Sequence, residues 1–176
     1  MIWYYALTFV LLAVFFGLIY LFFTTLLYIL PMNKGAVYVP SKPEAIAAML
    51  SLVRSKRKTA KVVDLGSGDG RVVKSFIASG YEAYGFEINP LLVRKSRQLL
   101  KKAALDPEVI IDQSYWDFDL GEFDVVIVYG ITYIMEDLAE KLKNELKPRA
   151  LVVSNYFELP GWKKLASREG IHLYQR

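Results

Sequence analysis

Asp64, Gly66, Gly68, Gly70 and Glu87 are the residues whose types and spacing most directly imply chemistry. The first four lie in V-V-D-L-G-S-G-D-G-R, residues 62–71, where β-branched residues lead into an acid and three glycines alternate. The apolar lead-in reads as a buried strand and Val72–Ala78 as a helix. Glycine lets the chain turn tightly and lets a ligand reach bare backbone. The loop is therefore expected to aim backbone N–H groups and a helix N-terminus at a ligand. Asp64, two residues before the first glycine, would repel a pyrophosphate but suits a ligand with an ammonium group. Glu87 falls about twenty residues further on, where a doubly wound sheet presents a carboxylate to ribose hydroxyls. Such a group accepts from two vicinal hydroxyls at once. Together these residues describe a site for a nucleoside that carries a cation.

A dinucleotide loop, G-x-G-x-x-G, is not what the chain has. Its third glycine arrives one residue early, and Arg71 fills the slot that pattern reserves for glycine. The pattern D-x-G-x-G-x-G resembles motif I of the class I S-adenosylmethionine-dependent methyltransferases, whose loop holds the methionine part of the cofactor. The resemblance implies cofactor contacts from Asp64, Gly66, Ser67, Gly68 and Gly70, and from Glu87, Ile88 and Asn89 at the end of the next strand. A polar group after the third strand commonly meets the adenine amine in that class. Here the choice lies among Asp112, Gln113 and Ser114, while Trp116 lies against the purine or closes the core.

These residues need a scaffold, and the hydrophobic pattern supplies one. Strands are expected at Lys61–Leu65, Ala83–Glu87, Val109–Asp112, Asp124–Tyr129 and Leu151–Ser154. Helices are expected at Val72–Ala78, Pro90–Ala104 and Met135–Leu146. Short, continuously apolar strands alternating with helices imply a parallel sheet covered on both faces. Trp162–Ser167 and Ile171–Gln175 flank a turn and read as an antiparallel hairpin. The fold class is α/β, a Rossmann-like class I methyltransferase sheet with helices on both faces, preceded by one N-terminal transmembrane helix. Gly35–Pro43 reads as an extended connector because of its two prolines. A helix then starts near Pro43 and runs to about Val53, with Ala45, Ile46, Met49, Leu50 and Val53 on one stripe.

The first 33 residues contain no Asp, Glu, Lys, Arg or His. From Ile2 to Leu30 the chain is almost wholly apolar, and as a helix it is roughly 43 Å long. A bilayer core is about 30 Å thick. Trp3, Tyr4 and Tyr5 at one end and Tyr28 at the other suit an aromatic belt, and Pro31 ends the run. A cleaved signal peptide fits poorly, because there is no basic leader, the run is too long, and M-N-K-G is not a small-residue cleavage site. A buried core helix rarely runs this far without a polar face. Lys34, Lys42, Arg54, Lys56, Arg57 and Lys58 follow the span and place the remainder in the cytoplasm by the positive-inside rule. The resulting division is 1–33 as a single-pass anchor in the bilayer through residues 2–30, 34–59 as connector and helix, and 60–176 as the methyltransferase domain.

Composition excludes other chemistries. The chain has no cysteine, hence neither disulfides nor thiolate chemistry. Its one histidine, His172, makes a zinc site untenable, and no metal is expected. The net charge of +4 includes the run Arg54–Lys61, which suits anionic headgroups or simply a solvated helix end. No aromatics interleave with it, and V-Y-G-I-T-Y after the fourth strand is not the N/D-P-P-Y/F box of amino-methylating nucleic-acid enzymes, so no nucleic-acid partner is expected.

A narrower resemblance rests on Y-V-P-S-K-P-E-A-I (38–46), V-D-L-G-S-G-D-G-R-V-V (63–73), G-F-E-I-N-P-L-L-V-R-K-S-R (85–97), V-Y-G-I-T-Y-I-M (128–135) and E-L-P-G-W (158–162). In this order they resemble the small membrane-anchored lysine methyltransferases that modify the ATP synthase c-subunit and the adenine nucleotide translocase. Two departures stand out. The chain has Q-S-Y-W where the family often shows K-D-L-W, putting Ser114 in place of an acid, and I-T-Y-I-M replaces a V-P-Q-M-M-like run. The acceptors of the eukaryotic members are therefore not carried over.

The resemblance implies a membrane-anchored S-adenosylmethionine-dependent methyltransferase acting on a lysine of an integral membrane protein. A lysine, with an ordinary pKa near 10.4, must lose its proton before it attacks. Tyr129, Tyr133 and Asp69 are the candidates for orienting that amine, though either tyrosine could equally serve the core. The competing readings are a small-molecule or lipid methyltransferase with the same cofactor site, and a non-enzymatic membrane scaffold with a vestigial cofactor fold.

Overall fold

The structure, a computed structural model, describes residues 2–29 and 38–176. Pro31, Lys34 and residues 35–37 of the expected connector lie outside the described residues, as does the Tyr28 side chain.

Helix α1, Ile2–Ile29, is 28 residues of apolar and aromatic sequence. At about 1.5 Å per residue it is long enough to cross a bilayer. Its hydroxyls bond back to its own carbonyls: Thr8 to Tyr4 O at 3.0 Å, Thr24 to Leu21 O at 2.9 Å and Thr25 to Leu21 O at 2.8 Å. No threonine hydroxyl in the helix therefore needs water.

The second unit is built on a seven-stranded sheet in the order β3-β2-β1-β4-β5-β7-β6. The strands are β1 Lys61–Leu65, β2 Glu82–Glu87, β3 Ile110–Asp112, β4 Val125–Val128, β5 Leu151–Asn155, β6 Lys164–Arg168 and β7 Ile171–Gln175. β1 through β5 run parallel, and β7 pairs antiparallel with both β5 and β6. The helices are α2 Pro43–Lys56, α3 Arg71–Ala78, α4 Pro90–Lys102 and α5 Met135–Glu145. The order reverses beside β1, the switch point at whose carboxyl end an open α/β sheet binds its ligand.

Strand alternation divides the core. Val62, Val125, Ile127 and Val153 face α2, α3 and α4, joining Met49, Val53, Val73, Phe76 and Leu100. Val63, Leu65, Val126, Val128 and Val152 face the other way, onto Met135, Leu138 and Leu142 of α5. On that second face, Tyr115, Leu120 and Phe123 from the β3–β4 connection complete the cover. The expected two-faced layering holds, with α2, α3 and α4 on one face and α5 on the other.

Local chemistry moves a few boundaries. Val109, expected in β3, ends a 3-10 turn (Pro107–Val109) whose Asp106 Oδ1 accepts from Glu108 N. Asp124, expected in β4, precedes it, with its carboxylate accepting from Lys61 N at 2.8 Å and pairing with Lys147 at 2.8 Å. Tyr129 lies just past the end of β4. The α2 helix continues to Lys56, beyond the expected end at Val53.

Candidate functional site

The parallel register leaves β2 one residue longer than its pairing with β1, since Leu65 aligns with Phe86 and Glu87 projects beyond. The glycine loop folds back onto that overhang. Gly66 N and Ser67 N both donate to Phe86 O, at 2.9 and 2.8 Å, Gly68 N donates to Glu87 Oε2 at 2.8 Å, and Gly70 N donates to Ser67 O at 3.0 Å. This corrects the expectation that the loop aims its N–H groups at a ligand: these four are satisfied within the protein. Gly85, inside β2, makes the approach possible. A Cβ there would sit 2.5 Å from the Ser67 Cβ and 2.9 Å from Val73 Cγ2. A glycine inside a strand is the signal that could have pointed to it.

The carboxylates fall into three different states. Asp64, 6% exposed, has no hydrogen-bond donor or cation paired with it among the described residues. Burial, reinforced by Glu87 and Asp69, pushes its pKa up to about 7. A buried acid without a partner, its proton loosely held near neutrality, is a receptor for a cationic ligand group. Ser67 Oγ, also buried, lacks a partner as well.

Glu87 is held in place. Its Oε1 accepts from Ile88 N at 2.9 Å and Asn89 N at 2.8 Å, while Oε2 takes Gly68 N. With about four acceptor positions on a carboxylate, one remains, on Oε2. A ribose hydroxyl can meet that oxygen, and a second hydroxyl would have to share it or displace an N–H. The Asn89 side chain caps α4, its Oδ1 accepting from Leu91 N at 3.0 Å and Leu92 N at 3.4 Å.

Asp69, expected to orient an acceptor amine, is already engaged. Arg71 grips it through Nε–Oδ1 at 2.9 Å and Nη2–Oδ2 at 2.7 Å, and Lys95 lies 3.6 Å from Oδ2. Burial pushes its pKa up, but the Arg71 bonds, the Tyr38 hydroxyl and the two cations outweigh that and bring it down to about 2. A carboxyl so acidic takes no proton from an amine at neutral pH.

Residues 38–41 form a strap over this edge. The Tyr38 ring lies against Gly68, and its buried hydroxyl faces Asp69 without a partner of normal geometry among the described residues. Burial and the Asp69 charge push the Tyr38 pKa up to about 12. Ser41 O accepts from Arg71 Nη1 at 3.2 Å, and Ser41 Oγ accepts from Asn155 Nδ2 at 3.2 Å. The extended stretch read as a connector is thus pinned to α3 and to the end of β5.

At the end of β3, Asp112 and the following Gln113 are exposed, and Ser114 Oγ accepts from Trp116 N at 3.3 Å, capping a 3-10 turn and leaving its hydroxyl hydrogen to donate. Trp116 is half-buried, 5.0 Å from the Tyr115 ring, and packs at the margin of the α5 core. Tyr129 is half-buried beyond β4, and Tyr133 stands exposed on the 3-10 turn Thr132–Ile134. Among the described residues no cluster of His, Cys, Asp and Glu could hold a metal.

Known proteins resemble this chain in sequence and in fold. Residues 64–166 match the family described as the ANTKMT methyltransferase domain. An ATP synthase c-subunit lysine N-methyltransferase of Xenopus laevis is 32% identical over 126 residues, 71% of this chain and 55% of that protein. The chain thus spans about half the length of that relative. A protein-lysine N-methyltransferase of Saccharolobus islandicus is 33% identical over 130 residues, 71% of this chain and 79% of that one. The crystal structure of an RNA methyltransferase from Salinibacter ruber, in complex with S-adenosyl-L-homocysteine, superposes with a TM-score of 0.68 at 30% identity, covering 78% of this chain and 92% of that one. With the strand order and the glycine loop of a class I S-adenosylmethionine-dependent methyltransferase, this chain belongs to the ANTKMT methyltransferase domain family.

Proposed function

We propose that this protein is a membrane-anchored S-adenosylmethionine-dependent protein-lysine N-methyltransferase whose acceptor belongs to an integral membrane protein. The observation that carries the reading is Asp64: a buried carboxylate without a partner among the described residues, at the switch point of the sheet, in a family whose relatives include named lysine methyltransferases.

Asp64 and Ser67 would hold the cofactor's amino-acid end, Glu87 its ribose, and Asp112, Gln113 or Ser114 its adenine. Gly66, Gly68 and Gly70 keep the loop low enough for that approach, and Ile88 and Asn89 hold Glu87 in place through their N–H groups. When bound, S-adenosylmethionine supplies a methyl carbon activated by the positive charge on sulfur. The chain has mainly to place the acceptor amine in line and keep water away. Burial at this edge favours the neutral amine, which is the nucleophile. Tyr129, just past β4, and Tyr133, on the turn that follows, would orient it. Asp69 contributes differently, by locking Arg71 and through it the strap.

The membrane part of the reading is supported by α1 and by the cationic residues that follow it. Anchoring in the acceptor's bilayer raises its effective concentration. Lys42, Arg54, Lys56, Arg57 and Lys58 support a cytoplasmic catalytic domain.

The test is to incubate the full-length protein, in detergent, with radiolabelled S-adenosylmethionine and solubilised host membranes, then hydrolyse the labelled material. Methyl-lysine in a membrane protein is the expected product. Label in lipid or small molecules moves the acceptor to those classes, and label in RNA moves it toward the Salinibacter ruber protein. Absence of cofactor binding sinks the methyltransferase reading altogether.

A further inference from the structure

The carboxyl edge of the sheet carries a group of rings that cofactor binding leaves without a task. Tyr129, after β4, lies 6.4 Å from Phe157, centroid to centroid, with the rings tilted by 37°. Phe157 in turn meets Tyr156 edge to face at 5.2 Å. Tyr156 follows β5 directly, is 69% exposed and has φ +70°. An aromatic residue in the left-handed region is a strained outlier. Such strain persists only where the surroundings over-determine it, and it gathers at functional sites.

Here the surroundings do over-determine it. Tyr156 N donates to Gly170 O at 2.8 Å, and Phe157 N donates to Asn155 O at 2.9 Å. The Ser154 hydroxyl donates to Phe157 O, and Asn155 is tied to Ser41 of the strap. These bonds fix a tight turn that holds a large ring out of the core. The ring keeps its edge-to-face contact with Phe157 but is left 69% exposed, so most of it is free to meet a ligand.

Ring faces attract cations, and ring bodies cover methylene chains. We propose that Tyr129, Tyr156 and Phe157 form an aromatic wall that binds the alkylammonium side chain of the methyl acceptor, with Tyr156 as the residue that sets acceptor affinity. The inference rests on the lysine-methyltransferase reading and adds to it the residues that recognise the lysine. The same wall receives the incoming ammonium and the methylated amine, which is again a cation at neutral pH. Tyr156 is a positioning residue here and takes no part in proton transfer.

The test uses the full-length protein in detergent with S-adenosylhomocysteine bound. Calorimetry compares capped Nε-trimethyl-lysine with its neutral tert-butyl isostere. The wild type is expected to bind the cation about 5- to 30-fold more tightly, the range set by a partly desolvated cation–ring contact. Tyr156→Phe keeps that preference. Tyr156→Gly loses it and raises the KM for the lysine acceptor by a similar factor, with the KM for S-adenosylmethionine unchanged. Because glycine accepts φ +70° without strain, that variant also melts about 2–4 °C higher. A merely structural tyrosine would not raise stability and acceptor KM together. Equal binding of cation and isostere, or a preference that survives Tyr156→Gly, overturns the wall. Lysine labelling with an unchanged acceptor KM in Tyr156→Gly overturns the wall and leaves the lysine reading standing. Cation preference with no label on any lysine overturns the lysine reading and the acceptor assignment with it.

Discussion

The ring of Tyr38 occupies the space a side chain on Gly68 would need: a Cβ there would lie 2.5 Å from Cε2 and 2.8 Å from Cδ2. The strap and the glycine loop are thus fitted to each other, and the fit depends on the loop residue having no side chain. Gly68 also has φ +57°, where any L side chain adds strain. Gly68→Ala is therefore expected to destabilise the protein by about 1–3 kcal/mol and to weaken S-adenosylmethionine binding. Tyr38→Ala in the same background removes the collision but not the backbone strain. Calorimetric affinities should therefore show the double variant binding more tightly than Gly68→Ala alone. Additive losses would mean that the ring does not press on the loop.

Arg71 links the loop to the strap, bonding Asp69 with two nitrogens and Ser41 O with a third. Lysine cannot reproduce that fork. Arg71→Lys and Arg71→Ala should both destabilise, by about 1–2 kcal/mol after allowing for the solvent exposure of the arginine. The pH dependence follows from the depressed Asp69 pKa. Its stabilisation is complete above the unfolded value of 3.8 and is lost as pH falls toward about 2. Chemical denaturation between pH 5 and 2.5 should show this acid limb in the wild type and a shallower one in Arg71→Ala.

Much of the architecture is legible in the sequence because it is local. Runs such as K-V-V-D-L and V-V-I-V must be buried on both faces, and Pro90 after Asn89 marks a helix start whose cap is what it looks like. The motif acids fall at strand ends for the same reason. What could not be read depends on parts distant in sequence. Ser41 meets Asn155 across 114 positions, and Tyr38 finds Gly68 only once the sheet exists. The loop's N–H groups bond to β2 because β2 overhangs β1, a matter of register that no local pattern encodes. Asp69 reads from sequence as a candidate to orient an amine, and only the folded loop shows Arg71, two residues on, holding its carboxylate. Tyr156 betrays itself only by its φ.

The apolar helix α1 gives a separate prediction. Its threonine hydroxyls are bonded internally, so the helix can enter hydrocarbon without leaving those groups unpaired. The full-length protein is expected to remain in the pellet when membranes are washed with alkaline carbonate. Replacing Leu12 and Phe16, near the middle of the helix, with arginines should release most of it, since each charge at mid-bilayer costs about 2.5–3.5 kcal/mol on insertion scales. Retention of the doubly charged variant would remove the bilayer from the proposal.

Asp64 is the residue whose behaviour should change most when the cofactor binds. Its folded pKa of about 7 stands above the ordinary 3.8, so the folded protein holds a proton that the unfolded chain has lost. In the ligand-free protein this acid therefore makes stability fall as pH rises from about 4 through 7. Cofactor binding has the opposite dependence, because an ammonium group needs the ionised carboxylate. Below pH 7 binding must expel the proton, so affinity should rise with pH through that range and fall again as the ligand's own α-amino group, with an ordinary pKa of about 7.7–8.0, loses its proton. Calorimetry at pH 6 in buffers of different ionisation enthalpy should detect release of most of one proton per cofactor, and at pH 8 uptake of a fraction of one instead. Asp64→Asn removes both effects: the ligand-free protein becomes more stable at pH 8, and cofactor affinity drops about 10- to 150-fold, the worth of a hydrogen bond to a charged group. If Asp64→Asn kept wild-type affinity and its pH dependence, the ammonium would have to be held elsewhere, with Glu87 the next acid to test.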